Sequence, residues 1–173
     1  MVQQTVIAAQ TMATQSPSHT TAATRLRTTA VALIAGVGAA LAIGVLAFCS
    51  EINPHWVFLM APFGATAVIV FGLPQSPLAQ PKNVILGHLL TALIGLVFLQ
   101  FFAVTPLTLA LAVGLAVTTM LLSNTTHPPA GANPLLIMLT GQQWSFLFTT
   151  VLLGAIVMVM VAQLMRRLNQ RLL

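Results

Sequence analysis

Charged residues are scarce in this 173-residue chain, at 4% of the total, and Glu51 is the single acidic one. A soluble domain carries roughly 25% charged residues, so water is not the main solvent of this protein. One carboxylate excludes catalysis by paired acids and argues against a carboxylate proton relay. One cysteine, Cys49, excludes an intramolecular disulfide framework and a thiolate metal cluster.

Motifs for enzymatic chemistry are also missing. No P-loop, dinucleotide fingerprint or nucleophile elbow occurs, and no two histidines have the spacing of metal ligands. We therefore expect no enzymatic activity, no cofactor and no metal. The net charge of +5 does not indicate nucleic acid, because no basic stripe with interleaved aromatic residues is present. Five of the six basic residues instead flank the hydrophobic region; the six are Arg25, Arg27, Lys82, Arg166, Arg167 and Arg171.

Hydrophobic residues make up 58% of the chain and fall into six apolar segments. Four segments reach or approach the roughly 20 residues with which a helix crosses a bilayer; they are residues 29–49, 83–102, 105–122 and 144–165. The other two, residues 56–73 and 128–140, are short or interrupted by proline, so we predict part helix and part extended chain. We expect an all-α membrane domain over 29–166, between a flexible polar tail at 1–28 and a basic end at 167–173.

The placement of the basic residues predicts the topology. With six crossings and a cytoplasmic N-terminus, every Lys and Arg lies on the cytoplasmic side, as does the C-terminus, and Glu51 is the one outer charge. Six crossings divide into three plus three, residues 29–103 and 104–166, and an odd number per half makes the repeat inverted. The alternative is that both short segments are re-entrant, which leaves Lys82 alone on the outer side.

Two short stretches, PFGAT at 62–66 and PAGAN at 129–133, share Pro, Gly and Ala at the same positions. Each lies in a proline-broken segment, one in each half of the chain. A Pro/Gly-interrupted helix at matching positions of two halves points to a transport site. Pairing the stretches without gaps makes Thr66 equivalent to Asn133.

The start of each broken helix presents free backbone N–H groups and a partial positive charge, which together favour a small anion near the middle of the membrane. His127 adjoins the breaking prolines, where we expect it to donate a hydrogen bond or to respond to pH. The competing interpretation is that Gly and Pro only permit close packing of kinked helices. The predicted substrate-binding residues are Pro62, Gly64, Thr66, Asn124, Thr126, His127, Pro128, Pro129, Gly131 and Asn133.

For the other three histidines we expect no role in substrate binding. His19 lies in the predicted tail, His55 at the outer edge of the second segment, and His88 near the cytoplasmic end of the third, where structural roles are expected. Two sets of small residues spaced by about four predict faces for close helix packing; they are Ala32, Gly36, Ala40 and Gly44, and Gly87, Thr91 and Gly95.

The stretch THPPAGA at 126–132 resembles the signature of the HPP family of integral membrane proteins, and residues 61–88 resemble that family's other hallmark. The resemblance covers roughly residues 55–165. It implies a membrane protein, usually described with four helices rather than six, and nitrite transport, in which cyanobacterial and chloroplast members are implicated. The family's usual glycine after the double proline is Ala130 here.

Taken together, these features predict a transporter or channel for a small monovalent anion, with nitrite as the substrate that the resemblance implies. The expected location is a bacterial inner membrane of cyanobacterial type, or alternatively a chloroplast envelope. The expected partners are lipid and the anion, and self-association is an open possibility. Two alternatives remain: an assembly protein whose broken helices pack against a partner, and a channel for a small neutral solute. A solvated polar cavity reaching Asn133 favours transport, whereas a dry, filled centre favours assembly.

Overall fold

The computed structural model describes residues 22–52 and 58–172, and all regular structure in those ranges is helical. The residues His19 and His55, to which we assigned structural roles, lie outside them. The chain divides into two units, Met1–Leu33 and Ile34–Leu173. In the first unit the described residues form the start of the first helix. The second unit contains the rest of that helix and all later elements.

Six α-helices and four shorter helical segments follow one another along the described ranges. The helices are α1 (Ala22–Ile52), α2 (Ala61–Ala67), α3 (Pro81–Phe101), α4 (Pro106–Leu122), α5 (Asn133–Thr140) and α6 (Leu153–Leu172). Wider π-helical turns, Val68–Gly72 and Leu147–Leu152, extend α2 and precede α6, and tight 3-10 turns occupy Pro77–Ala79 and Pro128–Ala132.

Proline begins most of these elements, in the first helical turn, where its missing N–H leaves no backbone bond unmade. Pro81 and Pro106 open the long helices α3 and α4, and Pro128 opens the second 3-10 turn. Gly141 ends α5 with φ +66°, a conformation that glycine adopts without strain. Most of the prolines that suggested broken helices therefore lie in the first turn of a helix.

Three helices in the described residues are long and apolar enough to cross a membrane: Arg25–Ile52, Pro81–Phe101 and Leu147–Leu168. The apolar helices Ala61–Gly72 and Pro106–Leu122 are shorter, and a helix the length of the first spans only about 18 Å. A bilayer core is about 30 Å thick, so the shortest segments do not cross it as helix alone. Three long helices are established, and the six crossings of a 3+3 inverted repeat stay a prediction.

The described helices extend past the bounds of the predicted tail and basic end. Helix α1 begins at Ala22, within the stretch 1–28 that we expected to be flexible throughout. Alanine is the best helix former. The alanines at the start of α1 therefore let the helix begin before the apolar run. At the other end, α6 continues to Leu172, so the basic end at 167–173 is largely helical.

Helix α3 is the centre of the second unit. It packs against α4, α5 and α6, and against both 3-10 turns. Its buried apolar residues Val84, Ala92 and Leu96 belong to the same core as Ile137 of α5 and Val151, which precedes α6. Arg166 of α6 donates a hydrogen bond to the carbonyl of Pro74, which ties the loop before α3 to the last helix.

One of the two predicted small-residue faces packs closely against other described residues, and the glycines of the other meet none of them. A Cβ on Gly87 or Gly95 would come within 3.0 Å of the chain between Thr125 and Pro134, so α3 uses these glycines for close approach. On α1, a Cβ added to Gly36 or Gly44 would have nothing within 4 Å. The buried side of α1 instead carries Gly38, Ala42 and Leu46.

We expect Gly95→Ala to lower the free energy of unfolding by about 1–3 kcal/mol. Its Cβ would lie 2.8 Å from the Cα of Pro134, and a backbone atom cannot swing aside as a side chain can. The control is Gly114→Ala in α4, which meets nothing within 4 Å and should gain up to about 1 kcal/mol from better helix propensity. Denaturant or thermal unfolding in detergent measures both changes, and equal shifts would contradict this packing.

Candidate functional site

Four polar side chains meet in the interior of the second unit. They are Thr66 of α2, His88 of α3, His127 before the second 3-10 turn, and Asn133 at the start of α5; we call them the histidine cluster. Each has 0–1% of its surface exposed. Buried polar groups in a membrane protein mark functional candidates because they are expensive to place there.

His88 lies at the middle of the histidine cluster. Its Nε2 is 2.8 Å from Thr66 Oγ1, and its Nδ1 is 3.1 Å from the Nδ2 of Asn133. Thr66 Oγ1 is also 2.9 Å from the Nε2 of His127. The two imidazole rings are edge to face, with centroids 5.1 Å apart. Thr66 and Asn133, which the ungapped pairing of the two stretches predicts to be equivalent, therefore contact opposite ring nitrogens of one histidine.

The carbonyl of Leu78 determines which way these hydrogen bonds point. It lies 2.9 Å from His127 Nδ1, and because a carbonyl only accepts, the proton of neutral His127 is on Nδ1. Its Nε2 then accepts from the hydroxyl of Thr66, whose oxygen accepts from Nε2–H of His88. The Nδ1 of His88 is left to accept from Asn133. The bonds run in one direction from Asn133 to Leu78.

Asn133 has one polar atom without a partner. Its Nδ2 lies 3.0 Å from the carbonyl of His88 and 3.0 Å from Thr91 Oγ1. The carbonyl fixes the orientation of the amide, since it repels an amide oxygen placed at that position. The other end, Oδ1, is buried and has no hydrogen-bond partner among the described residues. The described residues thus supply no hydrogen-bond donor to this oxygen, and an unsatisfied buried acceptor costs about 1–3 kcal/mol of stability.

Local backbone features bring the cluster together. His127 is extended, with φ −137° and ψ 98°, immediately before the turn that Pro128 opens. Gly87 lets this segment approach α3, since a Cβ there would lie 3.0 Å from the Cβ of His127. Phe63 of α2 is fully buried and covers His88 edge-on, with ring centroids 5.2 Å apart.

The expected solvated cavity does not reach Asn133 in this conformation, because the whole histidine cluster is closed to solvent. An open groove of about 410 Å³ lies beside it, between the starts of the two proline-broken segments. Its lining is apolar and includes Pro62, Ala65, Pro128 and Ala132. The histidine cluster is thus enclosed by the described residues, which is closer to the filled centre that favours the assembly alternative.

The predicted site residues separate into two groups. Thr66, His127 and Asn133 meet in the cluster, and Pro62 joins them through its carbonyl, 3.2 Å from Thr66 Oγ1. The remaining six are Gly64, Asn124, Thr126, Pro128, Pro129 and Gly131, and none has a hydrogen bond to the cluster among the described contacts. Gly64 and Pro128 are exposed, and Pro129 is buried in the turn.

Asn124 is the predicted site residue with an unusual backbone conformation. It is exposed and has φ +52°, a left-handed conformation that asparagine tolerates at the end of a helix. It lies just past the end of α4 and outside the cluster. The residue that the sequence analysis missed is His88, together with Thr91. Both lie on or beside the small-residue face that Gly87 and Gly95 define, a pattern that predicts close helix packing and not a polar cluster.

Comparisons with known proteins agree on a membrane class. The family described as HPP, transmembrane region, matches residues 24–172. Two proteins of Dictyostelium discoideum, each described as a transmembrane protein, are 37% and 35% identical over 130 residues, or 70% of this chain. Those matches cover 46% and 42% of the relatives, so the chain spans less than half of their length. No solved structure matches the chain.

Proposed function

The chain belongs to the HPP family of transmembrane proteins, and from this premise we propose that it carries a small monovalent anion across the membrane, with nitrite as the inferred substrate. One observation supports this most directly. Thr66 and Asn133, equivalent in the two repeated stretches, contact opposite nitrogens of the same buried His88. A site formed jointly by two broken segments at matching positions is the arrangement of many secondary transporters.

The chemistry of the histidine cluster supports an anion over a cation. Its side chains offer N–H and O–H donors, and no carboxylate is buried among the described residues. Cation pathways through membranes usually carry acidic residues or rings of carbonyl oxygens. Neutral donors bind a weakly hydrated anion without holding it permanently, which suits a carrier that must release its substrate.

The closed centre has a consequence for how an anion would pass. Transport through the cluster requires the two proline-broken segments to move, because the site has no solvent access as it stands. Alternating access achieves this by rocking one part of the protein around a fixed site. In this proposal the structure corresponds to the occluded, unloaded stage of such a cycle.

The test is nitrite uptake into proteoliposomes that contain the purified chain. We expect flux above that of empty vesicles, and a fall of about tenfold or more in His127→Ala, the effect of losing one hydrogen bond to a charged species. Leu139→Ala is the control, since Leu139 is 66% exposed and lies on α5 away from the cluster. No flux above empty vesicles would refute nitrite as the substrate.

The second candidate function is assembly with a protein partner, and the enclosed histidine cluster is the observation that favours it. A purely structural role predicts no flux of any small anion. It also predicts that His127→Ala changes the oligomeric state or the partners recovered by cross-linking. Wild-type flux that depends on His127, with unchanged oligomeric state in the variant, favours transport.

A further inference from the structure

We propose that the histidine cluster is a binding site for one proton, taken up at Nε2 of His127, and that the anion crosses together with this proton. The identity of the anion rests on the proposed function. The proton site itself is argued from the hydrogen bonds, and it needs no transport to be tested.

The cluster can accept a proton without losing a hydrogen bond. In the neutral state the hydroxyl of Thr66 donates to His127 Nε2, over 2.9 Å. When hydronium transfers a proton to that nitrogen, one O–H bond of the hydronium breaks, an N–H bond forms and a water molecule is released, and the donor and acceptor exchange roles. The hydroxyl of Thr66 then turns to the carbonyl of Pro62, 3.2 Å away. Its oxygen accepts from both histidines, because it has two lone pairs. Nothing is oxidised or reduced in this step.

Thr66 is therefore the residue that makes both states possible. A hydroxyl group has one hydrogen and two lone pairs, and here it has three partners within 3.2 Å: His88, His127 and Pro62. Only one of the two acceptors can take its hydrogen at a time. His88 donates a hydrogen bond to the hydroxyl oxygen in either state.

No other titratable group of the described residues contacts the cluster. On α3 the nearest is Lys82, which is not buried and lies six residues from His88. The described parts of α2, α4, α5 and both 3-10 turns carry none, and on α6 Arg166 and Arg167 are not buried. A second proton, on His88, would meet the charge of His127 at a ring distance of 5.1 Å, so one proton is the capacity of the pair.

Charge balance links the proton to the anion. A single charge in a dry interior is strongly unfavourable, and no Lys, Arg or Glu side chain is buried there among the described residues. An anion alone or a proton alone would be uncompensated, whereas the two together are neutral.

The proton site is tested by ¹⁵N NMR of the histidine rings in the full chain, reconstituted in lipid nanodiscs, with His127→Gln to assign the signals. We expect neutral His127 to carry its proton on Nδ1 and neutral His88 on Nε2. On acidification one ring nitrogen, His127 Nε2, should gain a proton while His88 stays neutral. A neutral His127 protonated on Nε2, or charging of the His88 and His127 rings together, would overturn the proposal.

Coupling is tested in proteoliposomes with a pH indicator inside and a potassium diffusion potential set by valinomycin. After subtraction of empty vesicles, we expect one proton to enter with each nitrite and the flux to be independent of the potential. Thr66→Val should reduce this coupled flux about tenfold or more, since it removes a hydrogen bond to a charged group. Thr66→Ser should restore it.

The matched control is Thr118→Val in α4, because Thr118 makes the same bond to the carbonyl four residues earlier on an exposed surface. It should behave as the wild type. Nitrite flux that follows the potential and moves no proton would refute coupling and leave the proposed function standing. Absence of any nitrite flux would refute the proposed function, while the NMR result still decides the proton site.

Discussion

His88→Ala will lower the free energy of unfolding by about 3–5 kcal/mol, the largest loss that we expect from a single substitution in this chain. The imidazole is fully buried and hydrogen-bonded on both nitrogens, to Thr66 and Asn133. It also supports the ring of Phe63 edge-on. Its removal leaves a cavity and deprives two buried polar side chains of a partner at once.

Unfolding in detergent by denaturant or heat measures this loss. Leu93→Ala is the matched control, because Leu93 lies on the same helix and is 40% exposed; we expect a change of about 1 kcal/mol or less. His88→Gln retains hydrogen-bonding capacity and should recover part of the loss. Equal destabilisation by His88→Ala and Leu93→Ala would contradict the central position of this histidine.

Gly154→Ala will destabilise the protein by about 3 kcal/mol, at the upper end of the usual range for overpacking. A Cβ at this position of α6 would overlap the ring of Phe63 and come within 3.3 Å of the carbonyl of Phe58. Phe63 cannot move away freely, because it is fully buried and its ring also packs against His88. The added methyl group therefore presses on the histidine cluster from outside.

The same unfolding measurement applies, with Gly36→Ala as the control. Gly36 lies within α1 and has nothing within 4 Å of an added Cβ, so alanine there should be neutral or stabilising by up to about 1 kcal/mol. If Gly154→Ala were as well tolerated as Gly36→Ala, Phe63 would have room to move, and the close contact between α2 and α6 would be wrong.

Much of the candidate site was predictable because proline and glycine act locally. The repeated stretches at 62–66 and 129–133 identified Thr66, Asn133 and, beside them, His127. The all-helical class and the positions of the apolar segments also followed from composition and length. Whether the short segments complete a six-crossing inverted repeat depends on the membrane path, which segment length alone does not determine.

His88 could not be identified by the same reasoning. It lies six residues after Lys82 in a long apolar helix, and nothing in that local pattern separates a central histidine from one near the membrane surface. Its role depends on which elements pack against α3, a non-local property. The contact of the Leu78 carbonyl with His127 also could not be predicted from the sequence, since any residue supplies a backbone carbonyl at that position.

The small-residue faces illustrate the same limit. Spacing of four along α1 indicates a face on which another helix has room to approach, at Gly36 and Gly44. The second unit instead uses the neighbouring face, where a Cβ on Gly38 would come 2.7 Å from the ring of Phe71. Spacing describes a helix surface, but only the shape of the partner decides which surface is used.

The contact between Leu78 and His127 has an electrical consequence. The four hydrogen bonds that link Asn133 through His88, Thr66 and His127 to this carbonyl run in one direction, so their dipoles add and polarise one another. A region with no net charge thus carries a standing electric polarisation, whose sign is set by the short turn that holds Leu78. Moving Leu78 away would remove the constraint on that sign. The position of this turn therefore determines the direction of the electric field inside the cluster.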